Sequence, residues 1–285
     1  MELSYYPGCS LHGTSLEYDE STRAVCSALD IGLEEIEDWS CCGASSAHSV
    51  AGDLSLALPA RNLALASRSG RDVVVPCAAC YNRLRAALVA SREGRLPEGV
   101  GEIDGEIDVQ SLVSIVARPE ILSTLEGHVE RRLEGLAVVP YYGCLLVRPG
   151  HVTGRTDLED PRDMDTILGV LDADVRKWNY KTVCCGGGLA LGRPDIVERL
   201  VFKIVAEARR SGADLIVTAC PMCLTNLESR MFEAVREGRM AEDEVVPVVY
   251  FTELIGVAIG SPEVDGWLSK HLIDPRPVLK ARGLT

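Results

Sequence analysis

Ten of the eleven cysteines fall into two sets of five with the same internal order, and no other feature constrains the chain as much. The first set is Cys9, the vicinal pair Cys41-Cys42, then Cys77 and Cys80 as a C-x-x-C. The second is Cys144, the pair Cys184-Cys185, then Cys220 and Cys223. From the end of each vicinal pair to the next cysteine is 35 positions in both sets (42 to 77, 185 to 220), whereas the opening steps are 32 and 40 (9 to 41, 144 to 184). The flanks repeat too. Tyr5-Tyr6-Pro7-Gly8-Cys9 corresponds to Pro140-Tyr141-Tyr142-Gly143-Cys144, and Cys41-Cys42-Gly43 to Cys184-Cys185-Gly186. Val74-Val75-Pro76-Cys77 corresponds to Val217-Thr218-Ala219-Cys220. The chain is an internal duplication.

So many thiols need a reason other than covalent stapling. With 285 residues, 47% of them apolar, the chain can bury a core that folds without disulfides. Its opening, Met1-Glu2-Leu3-Ser4, has no basic segment leading into an apolar one, so no secretory signal is expected and the protein is read as cytoplasmic. In that compartment clustered cysteines are metal or redox ligands. No membrane span is expected either. The apolar stretches around Leu136–Val147 and Leu254–Ile259 are short or broken by Pro140 and Gly143, and a spanning helix needs roughly 18 apolar residues. The 29 Lys and Arg against 42 Asp and Glu give a net charge of −13. A surface that acidic repels phosphate backbones and argues against nucleic acid as a partner.

Short apolar or β-branched runs bounded by charge, Gly or Pro predict buried strands over Glu2–Tyr6, Val73–Pro76, Ala137–Tyr142, Leu215–Ala219 and Val246–Tyr250. Helical stretches alternate with them: Ser15–Leu29, Leu54–Ser69, Tyr81–Glu93, Pro194–Arg210 and Met222–Glu237. The alternation predicts an α/β fold: two pseudosymmetric, duplicated, Rossmann-like cysteine-rich domains with parallel strands and flanking helices. Cys9, Cys77, Cys144 and Cys220 each follow a strand, at the carboxyl edge where sites form in such folds. The glycine-rich, acidic segment Gly94–Val109 reads as a surface loop. The domain boundary is expected between it and Glu134, giving residues 1–134 and 135–285. The tail Ser261–Thr285, with Pro262, Pro275 and Pro277 and little periodicity, reads as a loosely packed end or as a segment that docks on the body or a partner.

A tetrahedral zinc site takes four N or S ligands, usually as two C-x-x-C or Cys/His pairs. Each half here offers five thiols and no partnered histidine, one more than zinc or a cubane with one thiolate per iron would use. Adjacent side chains in a loop diverge, so Cys41-Cys42 and Cys184-Cys185 suit ligation of different irons, or a sulfur bridging two irons, better than chelation of one ion. This favours an iron–sulfur cluster of unusual shape. The alternative is that zinc or a plain cluster holds each half together and one thiol is idle.

The ten-cysteine pattern resembles the duplicated cysteine-rich CCG domain. The opening YYPGCS, the two CCG triplets at Cys41–Gly43 and Cys184–Gly186, and ELIGVAIG at Glu253–Gly260 resemble the B subunit of heterodisulfide reductase, over essentially the whole chain. The resemblance implies a catalytic subunit with two noncubane [4Fe–4S] clusters. Cys9, Cys41, Cys42, Cys77 and Cys80 would hold one, and Cys144, Cys184, Cys185, Cys220 and Cys223 the other. It implies two-electron cleavage of a disulfide, such as that of coenzyme M and coenzyme B, in the space between them, with no separate protein nucleophile. The chain has no G-x-G-x-x-G fingerprint for flavin and no ferredoxin C-x2-C-x2-C-x3-C run, so electrons would arrive from other subunits. The resemblance implies two of them: an A subunit carrying flavin and iron–sulfur centres, and a ferredoxin-like C subunit. A hydrogenase or formate dehydrogenase would be reached through the flavin-bearing one. Two other readings stay open: an electron-transfer subunit of a lactate- or glycolate-type flavin dehydrogenase, and a complex running toward sulfur oxidation.

Outside the ten, Cys26 inside the first predicted helix reads as core filler. His12 and His48 follow Cys9 and Cys42 closely enough to be proton donors, though ordinary histidines are the simpler reading. Gly8, Gly43, Gly143 and Gly186 read as positive-φ or close-approach positions. Lys181 and Arg193 flank the second vicinal pair, as attractants for an anion or as a solvated face. Trp39 is a shield for the first site or core.

Overall fold

The computed structural model describes residues 1–285 apart from Ser45 and Gly105, and also apart from the side chain of His48. Each half is built on a four-stranded, all-parallel sheet. In the first, β1 (Glu2–Tyr5), β2 (Gly32–Glu35), β3 (Val73–Val75) and β4 (Val109–Ser111) run in the order β2-β1-β3-β4. In the second, β5 (Ala137–Tyr141), β6 (Asp174–Val175), β7 (Leu215–Thr218) and β8 (Val248–Tyr250) run β6-β5-β7-β8. The duplicated α/β fold read from the sequence is the fold of the chain.

The central strands are apolar throughout because helices cover both faces of a parallel sheet. Val73, Val74 and Val75 are fully buried, as are Leu215, Ile216 and Val217. The four long helices Leu16–Ala28, Leu54–Ser67, Pro194–Arg210 and Pro221–Arg236 lie within a residue or two of their predicted bounds. The helix predicted from Tyr81 begins earlier, at Ala78, because Cys77 is its N-terminal cap residue. Of the segment Gly94–Val109 read as a loop, residues 94–108 carry no helix or strand among the described residues, whereas Val109 opens the short strand β4.

From β1 the chain crosses to β2 on one side and then to β3 on the other, so the carboxyl ends of β1 and β3 diverge at a switch point; β5 and β7 repeat this. Such a crevice is the expected place for a site. The halves interlock reciprocally. The Leu16–Ala28 helix packs on the Phe251–Ala258 helix of the other half, and the Asp163–Val170 helix packs on Leu112–Val116. ELIGVAIG therefore forms part of the join between halves. Gly256 within it is a packing requirement, since a Cβ there would come within 2.5 Å of the Trp267 ring.

The tail differs from a loosely packed end. Val264–Leu268 and Arg276–Ala281 are helices, and Trp267, Leu268, Leu279 and Leu284 are buried against the body. Its side chains carry the docking, although three prolines and short helices leave no periodicity to read.

Candidate metal centre

All ten repeated cysteines gather at the two switch points. Cys77 and Cys220 cap the helices that follow β3 and β7, and Cys80 and Cys223 lie one turn inside them. Positions three apart share a helix face, so both thiols of each C-x-x-C point the same way. A helix N-terminus also favours a thiolate. The pairing of sulfurs is the same in both halves. Cys42 Sγ lies 3.2 Å from Cys80 Sγ, and Cys185 Sγ lies 3.5 Å from Cys223 Sγ. The other member of each vicinal pair turns to the isolated cysteine: Cys41 Sγ is 3.9 Å from Cys9 Sγ, and Cys184 has Cys144 as its strongest influence. Adjacent thiols thus face different partners. Among the described residues no three Cys, His, Asp or Glu groups converge closely enough to hold a single metal ion.

Backbone conformation makes this approach possible. Gly8 and Gly143 have φ of +73° and +65°, and a Cβ on either would meet the second C-x-x-C sulfur, Cys80 Sγ at 2.9 Å or Cys223 Sγ at 3.0 Å. Gly143→Ala is accordingly expected to cost about 1–2 kcal/mol from the left-handed backbone alone. It should also displace Cys223, so metal content of the second half should fall with stability; metal analysis together with a thermal melt checks both. The strand ends clamp the vicinal pairs. Tyr6 donates its hydroxyl to Ser40 O at 2.7 Å and Tyr141 to Val183 O at 2.6 Å, each the carbonyl immediately before a CCG. Trp39 and Trp178 sit edge-on to these tyrosines. Asn62 holds Ser40 by both its N–H and its carbonyl, and Asn226 donates to Cys185 O at 2.6 Å.

The thiols polarise one another. Cys42 is drawn down to about 4, chiefly by the neighbouring Cys41 thiol and then by Cys80, 3.2 Å away. Cys184 is drawn down to about 6 by Cys144. Cys41 and Cys144, their partners, shift upward. The sets also meet. The Cys220 thiol pushes Cys77 up, and Cys220 is pulled down by Cys223 and then by Cys77. These two buried thiols come from different halves. A small cavity of about 50 Å³ at this junction is lined by Ala78 and Ala79 of the first half and by all five cysteines of the second. A wider cleft, about 560 Å³ around Asp160, Asp165, Lys177 and Trp178, is lined by no cysteine. Several of its charged groups are paired with one another, so the chemistry points to the smaller space.

The remaining candidates are placed elsewhere. Cys26 is buried and burial pushes its thiol up to about 12, as befits core. His12 is half exposed, pairs with Glu35 at 3.1 Å and stacks edge-on to Trp39. Trp39 donates to Glu35 and covers Tyr6, one step from the sulfurs. The side chain of His48 lies outside the described residues. Arg193 is exposed and pairs with Asp195. Lys181 is neither solvated nor free to attract an anion. It is buried, with Nζ on Asp160 at 2.7 Å and Asp165 at 2.5 Å, while its carbonyl accepts from the amides of Tyr142 and Gly143. Lys181 therefore ties the segment before the second CCG to the Cys144 turn. Its spacing could not reveal this, because the two aspartates lie 21 and 16 residues away. Asn62 and Asn226 escape sequence reasoning for the same reason.

Comparison with known proteins agrees with this geometry. The family description "CCG: Cysteine-rich domain" matches residues 3–85 and 138–228, each span enclosing one complete set of five cysteines. A protein of Wolinella succinogenes named 8-methylmenaquinol:fumarate reductase membrane anchor subunit is 31% identical, over 96% of this chain and 97% of its own. The B subunit of the Ferredoxin/F(420)H(2)-dependent CoB-CoM heterodisulfide reductase of Methanosarcina acetivorans is 28% identical, over 92% of this chain and 91% of its own. A crystal structure of a hypothetical protein from Helicobacter pylori superposes on 96% of the chain with a TM-score of 0.70; at 11% identity, and with only 52% of that protein's length spanned, it speaks for the fold alone. With both copies matched and all five cysteines present in each, the chain belongs to the CCG cysteine-rich domain family and carries the domain twice.

Proposed function

We propose that this chain is the iron–sulfur, disulfide-acting subunit of a heterodisulfide reductase-type complex. The reading rests above all on the approach of the two C-x-x-C segments across the join: Pro76 and Ala219, the residues before Cys77 and Cys220, share the Tyr18 hydroxyl, and Ala78 and Ala79 line one small cavity with all five cysteines of the second half. The donor set fits the cofactor: thiols only, two per C-x-x-C at a helix N-terminus, with vicinal cysteines facing different partners instead of converging on one ion. All ten cysteines are assigned as ligands of two noncubane [4Fe–4S] clusters, one each in domains 1–134 and 135–285.

When bound, such clusters supply the two electrons of the reaction RSSR + 2e⁻ + 2H⁺ → 2 RSH. The chain's own contribution is placement. Tyr6, Tyr141 and Lys181 hold the loops that carry the thiols, and burial of Cys77 and Cys220 keeps water from the junction. Among the described residues no helix is long and apolar enough to cross a membrane. A cytoplasmic complex with one flavin-bearing and one ferredoxin-like partner subunit is the assembly that accompanies this reading.

Protein purified without oxygen should hold about eight irons and as many sulfides per chain, the content of two four-iron clusters. It should reduce a disulfide once joined to its electron-donating subunits. Zinc in place of iron, at about one per half, would instead make the sites structural. The Wolinella relative favours a second reading, in which the same two sites only pass electrons to or from a flavin-bearing partner that acts on another substrate. Eight irons, no disulfide turnover and a copurifying dicarboxylate reductase would select it.

A further inference from the structure

The duplication breaks down at one buried tyrosine. Tyr18, on the Leu16–Ala28 helix, has no solvent exposure. Its hydroxyl lies 3.2 Å from the carbonyl of Pro76 and 3.2 Å from that of Ala219. These are corresponding residues, each the one before the first cysteine of a C-x-x-C. Among the described residues no other donor reaches either carbonyl. One O–H at equal distance from two acceptors is a shared, three-centre bond. The Tyr18 ring is held flat against Tyr250, with centroids 3.9 Å apart and planes within 2°. Tyr250 ends β8; the corresponding end of β4 is Ser111, so the second half has no such pair to offer in return.

We infer that Tyr18 is a positioning residue that yokes the two cysteine sites, fixing the separation of the two C-x-x-C segments and aiming one O–H dipole at the junction between them. The inference rests on the two-cluster reading above. Reduction adds negative charge at a site, and the hydroxyl proton, held on the carbonyls just before Cys77 and Cys220, offsets the negative ends of those two carbonyl dipoles and so stabilises that charge; hydrogen bonds in the shell around thiolate ligands tune potential in this way. Because the proton is shared, its influence falls on both sites.

Tyr18→Phe keeps the ring and the stack but removes the shared proton. Wild type and variant are purified without oxygen, assayed for iron and sulfide, and titrated potentiometrically with detection by electron paramagnetic resonance. Iron content should be unchanged and both midpoint potentials should move negative together. Site-specific 3-fluorotyrosine at position 18, whose more acidic hydroxyl donates more strongly, should move both the other way. Tyr250→Phe is the control: among the described residues the Tyr250 hydroxyl bonds to neither cysteine segment, so its loss should leave both potentials in place. Loaded protein whose potentials stay fixed in the phenylalanine and fluorotyrosine forms, or move at one site only, would overturn the inference. If Tyr18→Phe does not load, the fluorotyrosine form decides alone. Wild type without iron would instead overturn the cluster reading beneath it.

Discussion

Cys220→Ala is expected to leave the protein with about half its iron, near four per chain in place of about eight, and to bring disulfide turnover to background. Cys220 begins the helix that carries Cys223 and is buried, so no solvent-exposed ligand can swing in to replace it. Its loss removes a thiolate that is drawn toward the charged form by both Cys223 and Cys77. The first set keeps its own five thiols and its own clamps, Tyr6 and Asn62, on a separate sheet. Cys77→Ala should give the mirror result, with the second half loaded. Turnover should vanish in either case, because one remaining site cannot serve both sulfurs of a cleaved disulfide. Cys26→Ala is the control: that thiol lies in the core behind the first site and should leave iron unchanged. Iron analysis of the three variants decides the matter. Complete loss from Cys220→Ala would mean that the halves load only together, and undiminished iron would remove Cys220 from the ligand set.

The sequence makes the two sites legible for one reason: a ligand set must repeat in order and spacing if the fold that presents it repeats. Apolar runs reveal β1, β3, β5, β7 and β8 because those strands are buried. β2 has the sequence GLEE and is only partly covered at the edge of its sheet, β4 is the three residues VQS, and β6 is two residues long, so none of them leaves a run to find. Contacts between residues distant in sequence are the least legible. The sulfur pairing and the Lys181–Asp165 pin depend on how distant loops of one half come together, and the shared Tyr18 hydroxyl on how the two switch points face each other. No local pattern encodes that. The tail is the same case: Trp267 and Leu268 are core residues whose partners lie on the Phe251–Ala258 and Leu16–Ala28 helices.

His271→Ala is expected to destabilise the protein by about 3–5 kcal/mol, the usual cost of breaking a buried ion pair from one side. For a chain of this size that is a fall of roughly 10 °C in the thermal midpoint. The His271 side chain has no solvent exposure. Its Nδ1 lies 3.0 Å from Glu228, on the second C-x-x-C helix, and its Nε2 lies 2.9 Å from Glu253, at the join between halves. Removing the imidazole would leave two buried carboxylates with only the amides of Leu272 and Tyr250 to face them. Burial by itself would discharge the ring, but Glu253 and Glu228 outweigh it and raise its pKa from the ordinary 6.5 to about 11. A raised cation pKa fixes the sign of the pH dependence. The contribution is complete below about pH 6.5 and is lost as pH climbs toward 11. The midpoint gap between wild type and His271→Ala should therefore be widest near pH 6 and narrow steadily toward pH 10. A gap that stays constant over that range would mean the ring is held neutral, with the tail fastened by packing and neutral hydrogen bonds instead of by charge.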